Sequence, residues 1–252
     1  MKNMLLFFAC LVFGRYCCAQ PLVYNNTFIN PFSASVRPAA LSQIKHTTAG
    51  LLAEQKFMLK EISVYTMSVV MPVPAGAFGL MLHAYGGKLY NEQEYGVSYG
   101  RVLSSKIRLG VGFGYQIINV YGYGKQNSLR INGGLMYHLT EKFQAGFHIQ
   151  YPSAKHLPLI YMAGAGYTAS PQCNIAMEFR KMDDSPPEAL CVLEYRPVKY
   201  FSCLLGAATS PQLNYAGISL IKGKIRAGVT GNYHPQLGLT PNIMIVWQRK
   251  EF

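Results

Sequence analysis

The side chains able to move protons, hold an anion or ligate a metal fall on even-numbered positions over much of this 252-residue chain. The set is Arg108, Arg130, Asn132, His138, Gln144, His148, Gln150, Glu178, Arg180, Glu194, Arg196, Arg226, Asn232 and His234. Five arginines here meet two glutamates, a balance that calls for water, backbone carbonyls or an anionic ligand, because a poorly hydrated charge costs several kcal/mol without a partner. A structural polar network is the plain expectation, ahead of an ion or solute path. The histidines are not spaced for a metal. His138 and His148 share a hairpin and a face, but a turn centred on Glu141 pairs His138 with Gln144 and puts His148 opposite Gly134. Nucleophilic catalysis is not expected, since Ser98 and Ser219 lack a same-face histidine nearby in sequence. Gly110-Val111-Gly112-Phe113-Gly114 imitates a phosphate loop, yet no helix follows it, and glycine at alternate inward positions suits a crowded, curved wall. No catalytic residue, metal or cofactor is therefore expected.

The elements that hold this set are strands. Ile107 to Tyr115, Phe143 to Tyr151 and Ile225 to His234 alternate with period two, apolar or aromatic residues on odd positions and Arg, His, Gln or Gly on even ones. Turn-bounded segments of this kind centre near Leu51, Thr66, Leu80, Val97, Val111, Leu135, Phe147, Ala163, Met177, Leu193, Leu205, Gly217, Val229 and Ile245. About fourteen strands are predicted, with twelve or sixteen as alternatives; those near Thr66, Leu205 and Gly217 alternate poorly. Turn chemistry marks Pro72 to Gly76, Tyr123 to Asn127, Asp183 to Pro187 and Lys222 to Lys224. The arithmetic leaves only short loops.

Composition says what surrounds these strands. Charged residues make up 13 %, against about 25 % in a water-soluble domain, while 50 % are hydrophobic and there are 24 Gly, 18 Tyr and 13 Phe. A soluble sandwich would carry many Lys and Glu on its outer face. A mean hydropathy of +0.11 suits apolar surface spread over alternate residues. The fold class predicted is all-β: a transmembrane antiparallel β-barrel with a short N-terminal plug segment.

Residues 1–19 read as a signal peptide, with Lys2, an apolar run from Met4 to Gly14 and the small-residue exit Cys17-Cys18-Ala19. A retained anchor and a lipoprotein are the weaker readings. Residues 20–46 follow as a lumen or plug segment, with Asn30, Pro31, Arg37 and Pro38 as its marked residues, and residues 47–252 as the barrel. Cys173, Cys191 and Cys203 remain after processing, with no framework spacing. Cys191 and Cys203 flank the turn Arg196 to Lys199 and can approach, though small apolar packing is the plainer reading. Tyr residues and Trp247 at strand ends suit headgroup girdles. The net charge of +12 is scattered, which argues against nucleic acid and for lipopolysaccharide phosphates or an acidic partner.

The stretch Asn30-Pro31-Phe32-Ser33-Ala34-Ser35-Val36-Arg37-Pro38-Ala39-Ala40-Leu41 resembles the N-terminal stretch of FadL-like barrels, and within that group the PorV branch of Bacteroidota. His234-Pro235-Gln236-Leu237-Gly238-Leu239-Thr240-Pro241 and the signal exit are similar to small barrels of that phylum. The resemblance implies fourteen strands and an N-terminal segment in the lumen. It also implies, through the PorV branch, a non-catalytic adaptor in an envelope complex of the type IX secretion or barrel-assembly kind. The chain lacks the large loops of family members that pass hydrophobic compounds, so the adaptor is the first expectation and a passive channel for small hydrophobic solutes the second. The expected location is the cell outer membrane. The expected partners are its lipid, lipopolysaccharide, and other outer-membrane or periplasmic proteins.

Overall fold

Period-two alternation can bury one face of a strand and leave the other to an apolar solvent, and every backbone group must then find a partner within the sheet. In the computed structural model, which describes Tyr24 and residues 30–250 apart from 155–156, 184 and 210–211, this is how the chain folds. The expected signal peptide lies outside the described residues. Fourteen strands follow in order: β1 (Thr48–Gln55), β2 (Ser63–Val73), β3 (Gly76–Gly86), β4 (Tyr90–Val102), β5 (Ile107–Val120), β6 (Gly124–His138), β7 (Phe143–Pro152), β8 (Ile160–Ser170), β9 (Cys173–Met182), β10 (Glu188–Val198), β11 (Phe201–Thr209), β12 (Gln212–Lys222), β13 (Ile225–His234) and β14 (Gly238–Gln248). Each pairs antiparallel with its neighbours in sequence, and β1 pairs with β14, so the sheet closes into a barrel with no free edge. All fourteen predicted centres fall inside these strands.

The outer wall is apolar. Leu51, Val111, Phe113, Phe179, Val229 and Ile243 are each more than half exposed, while Glu178, Gln144 and His148 on the opposite face are almost fully buried. Odd positions point outward in every strand except β3 and β12, where Phe78, Leu80 and Leu82, and Ile218 and Leu220, face out. The cause is register. Val73 pairs with Gly76 and Thr209 with Gln212 across two-residue connections, which match an odd with an even position and so reverse the parity of the following strand.

Two expectations are corrected. Tyr123 to Asn127 is not the β5–β6 turn: Lys125, Gln126 and Asn127 pair with Asn119, Ile118 and Ile117, and the reversal occurs at residues 121–123, with Gly122 at φ +79°. Cys191 does not face Cys203. Cys191 pairs with Ala207 and Cys203 with Tyr195, so the two are offset along the hairpin, and all three cysteines are free.

Ahead of β1, a six-residue helix α1 (Pro31–Val36) and a 3-10 helix (Pro38–Gln43) pack against the inward face of the wall. Asn30 caps α1, its Oδ1 accepting the Phe32 N–H at 3.0 Å, and Pro31 occupies the first helical position, where a missing N–H costs nothing. Phe32, Ala39, Ala40 and Leu41 are buried.

Candidate functional site

The inward glycines form a mould for the segment before β1. A Cβ at Gly50 would strike the Phe32 ring, one at Gly79 would press on Leu41, and one at Gly100 or Gly110 would strike the Pro38–Ala39 backbone or its carbonyl. On the other side of the barrel, Gly146, Gly164 and Gly166 leave the space filled by Tyr24. The glycine run in β5 thus has two uses. Gly110 and Gly112 receive Pro38 and Ala39, while Gly114 leaves room for the Glu94 carboxylate beside Arg130.

Charge holds the segment in this mould. Arg37 donates from Nε and Nη2 to the two oxygens of Glu178 at 2.7 and 2.5 Å, a bidentate geometry that a carboxylate and a guanidinium match in plane. Tyr24 donates its hydroxyl to the same carboxylate at 2.8 Å. Burial, then the adjacent Glu178 carboxylate, holds the Tyr24 phenol well above its ordinary pKa. Gln43 donates to Gln144 at 2.9 Å.

All the residues expected in the lumen point inward, and most find partners there. Arg180 bridges Glu188, its direct cross-strand neighbour, at 3.2 Å and lies 3.8 Å from Glu178. Arg226 reaches Glu194 at 3.1 Å, with Arg196 in electrostatic range of both. Arg108 donates to His138 Nε2 at 2.7 Å, which makes that nitrogen the acceptor in a neutral ring. His138 pairs with Gln144 and His148 with Gly134, the register read from the turn. The His148 ring lies over Gly134, where a Cβ would strike it. His234 differs: its Nδ1 accepts the Gln236 and Leu237 N–H groups at 3.2 Å, so it holds the β13–β14 turn instead of joining the charge network. Of the marked N-terminal residues, Asn30 also donates to Met244 Sδ at 3.1 Å, and the Pro31 carbonyl accepts from Ser68 at 3.2 Å.

The expected surplus of arginine is corrected by glutamates that sequence reasoning passed over. Glu92 and Glu94 of β4, Glu54 of β1 and Glu188 of β10 also point inward and are buried. Arg130 grips Glu94 at 2.8 and 2.9 Å, and Gln116 bonds Glu92. The signal was present, since Glu92 and Glu94 share parity with Ser98. It was missed because β4 extends as far back as Tyr90, through a polar stretch that reads like a turn.

The wall has its own feature. A cavity of about 570 Å³ opens in β1–β4 and the adjoining β14, lined by outward residues such as Leu51, Tyr65, Leu82, Tyr95 and Ile243 and also by inward Thr66, His83 and Glu94. It exists because Ala53 and Ala84 stand on either side of Tyr65 in the paired register, leaving a hollow between larger neighbours. Thr66 Oγ1 and His83 Nδ1 lie 2.9 Å apart on its inner side. No group of three metal-ligating side chains occurs among the described residues.

A closed antiparallel barrel with an apolar belt outside and a polar, charge-paired interior defines a β-barrel of the outer membrane. Its fold is FadL-like. A FadL homologue from Pseudomonas aeruginosa aligns with a TM-score of 0.67 at 11% identity, over 89% of this chain and 95% of that one. The toluene transporter TodX of P. putida aligns at 0.60 and 11%, over 87% and 94%, and the CymD monoaromatic hydrocarbon channel at 0.64 and 12%, over 89% and 93%. No family model matches the sequence, and no curated protein does. The likeness is one of fold.

Proposed function

We propose that the protein is a passive outer-membrane channel for small apolar or amphipathic solutes, with Asn30 to Ile44 as its internal plug. The wall cavity carries this reading, because a hollow lined by residues of both faces offers a solute a station between lumen and bilayer. Its volume suits a ligand of one or two rings, and its lining is mostly apolar with a few polar groups. The transport of hydrocarbons by barrels of this fold supports the same class of solute. The ion pairs on β9, β10 and β13 lie away from β1–β4 and serve to hold the wall and the plug, while Arg130 of β6 fixes Glu94 of β4 at the inner side of the hollow.

The test is uptake of a radiolabelled monoaromatic such as toluene by cells that produce the protein. Ala84→Trp fills the hollow and should lower uptake at least about tenfold, the loss expected when a route of this size is occupied. Ala207→Trp, outward on β11, should leave uptake as it was. Equal uptake with and without the protein, or equal behaviour of the two variants, would sink the proposal.

The adaptor role implied by the PorV resemblance draws on the shortness of the connections, the longest being residues 56–62 and 153–159. Co-purification in mild detergent, with a defined companion at fixed stoichiometry, would favour it over the channel.

A further inference from the structure

Antiparallel pairing sorts the connections of a barrel onto two rims, and here it also sorts the charge. One rim carries the β2–β3, β4–β5, β6–β7, β8–β9, β10–β11 and β12–β13 turns and the β14–β1 seam. On it Arg101 and Lys106 flank the β4–β5 turn, Lys142 ends the β6–β7 turn and Lys199 begins the β10–β11 turn. Lys222 and Lys224 bracket Gly223, and Lys45, Arg249 and Lys250 surround the seam. All are exposed; the single exposed acid on this rim among the described residues is Glu141. The opposite rim mixes exposed Lys60, Lys88, Lys125 and Lys181 with Glu61 and Asp183.

The basic residues stand on a rigid collar. Each turn is tied to the next strand by a backbone hydrogen bond: His138 N–H to the Lys106 carbonyl and Thr168 to Lys142 at 2.8 Å, Gln248 to Lys224 and Arg249 to Thr47 at 2.9 Å. Positive charge is therefore presented at a fixed level around most of the circumference, directly beyond the apolar belt. Trp247, outward and paired with Ile225, marks where that belt ends. None of the turns on this rim exceeds four residues, whereas the three longest connections, 56–62, 153–159 and 183–187, all lie on the other, which places this rim on the periplasmic side.

We infer that this collar binds the anionic phospholipid headgroups of the inner leaflet and seats the barrel at that depth. A ring at headgroup level suits lipid, which meets the barrel from all sides, better than an acidic protein, which would meet one arc; lipopolysaccharide lies at the other rim. Basic side chains just beyond an apolar span draw anionic headgroups in this way.

The sole tryptophan of the chain provides the measurement. The full chain is reconstituted in vesicles of about four parts phosphatidylcholine to one of phosphatidylglycerol, with bromine on the chains of one lipid or the other. Brominated phosphatidylglycerol should quench Trp247 as though enriched at least about twofold over its bulk share, and the excess should fade as salt is raised. Lys222→Gln with Lys224→Gln and Arg249→Gln should abolish the excess, while Lys88→Gln with Lys125→Gln should not. Quenching at the bulk share in the unaltered protein overturns the inference and leaves the collar to an acidic protein. An excess indifferent to salt overturns it too, and that arm needs no variant to fold.

Discussion

Glu178 concentrates the interior's dependence on single side chains. One carboxylate takes two bonds from Arg37, one from Tyr24 and the more distant charge of Arg180. Removing one member of a buried ion pair leaves the other unpaired and costs about 3–5 kcal/mol, whereas replacing both with apolar groups is often neutral. With Ala39→Cys as reporter, Glu178→Gln should raise the labelling rate of that cysteine by a water-soluble maleimide at least about a hundredfold, the opening expected from that loss. Arg37→Met combined with Glu178→Leu should bring most of the protection back. Fast labelling in the unaltered barrel would show that this pair does not hold the segment.

Between residues and the closed sheet stand the hairpins, whose registers decide which side chains share a face. The β10–β11 pairing sends Cys191 outward, opposite Ala207, and leaves Cys203 opposite Tyr195. Oxidation should thus yield no Cys191–Cys203 cross-link, and a lipid-soluble maleimide should modify Cys191 before the half-buried Cys173 and Cys203. Peptide mapping after labelling reads both; a disulfide-linked peptide pair would mean that the register slips. In β3 the reversed parity turns Ala77, Gly79 and His83 inward and Phe78, Leu80 and Leu82 outward. The same turn lets a strand of mixed pattern deliver His83 to the inner side of the wall cavity.

For the closed barrel, the governing fact is that hydrocarbon bathes its outer face. Val229, midway along β13, and Ile225, at its end, are both outward and about half exposed. Val229→Arg should cost about 2–4 kcal/mol and Ile225→Arg about 1 or less, since the penalty for a charge falls with distance from the bilayer centre. Denaturant unfolding in lipid vesicles measures the difference; equal costs would place water on that face.

Strand number, strand centres and the inward set from Arg108 to His234 were legible because alternation is local: each residue's face follows from its neighbours and from the low charge of the chain. The His138–Gln144 pairing was legible for the same reason, since a tight turn sets its own register. The reversed parity of β3 and β12, the offset of Cys191 from Cys203 and the partners of the arginines were not. Those depend on how many residues each turn consumes and on which strands face one another across the lumen. Arg37 meets Glu178 across 141 residues of chain, and Gly110 and Gly164 are glycine because segments distant in sequence lie against them. Closure brought those groups together, and nothing short of the closed sheet could.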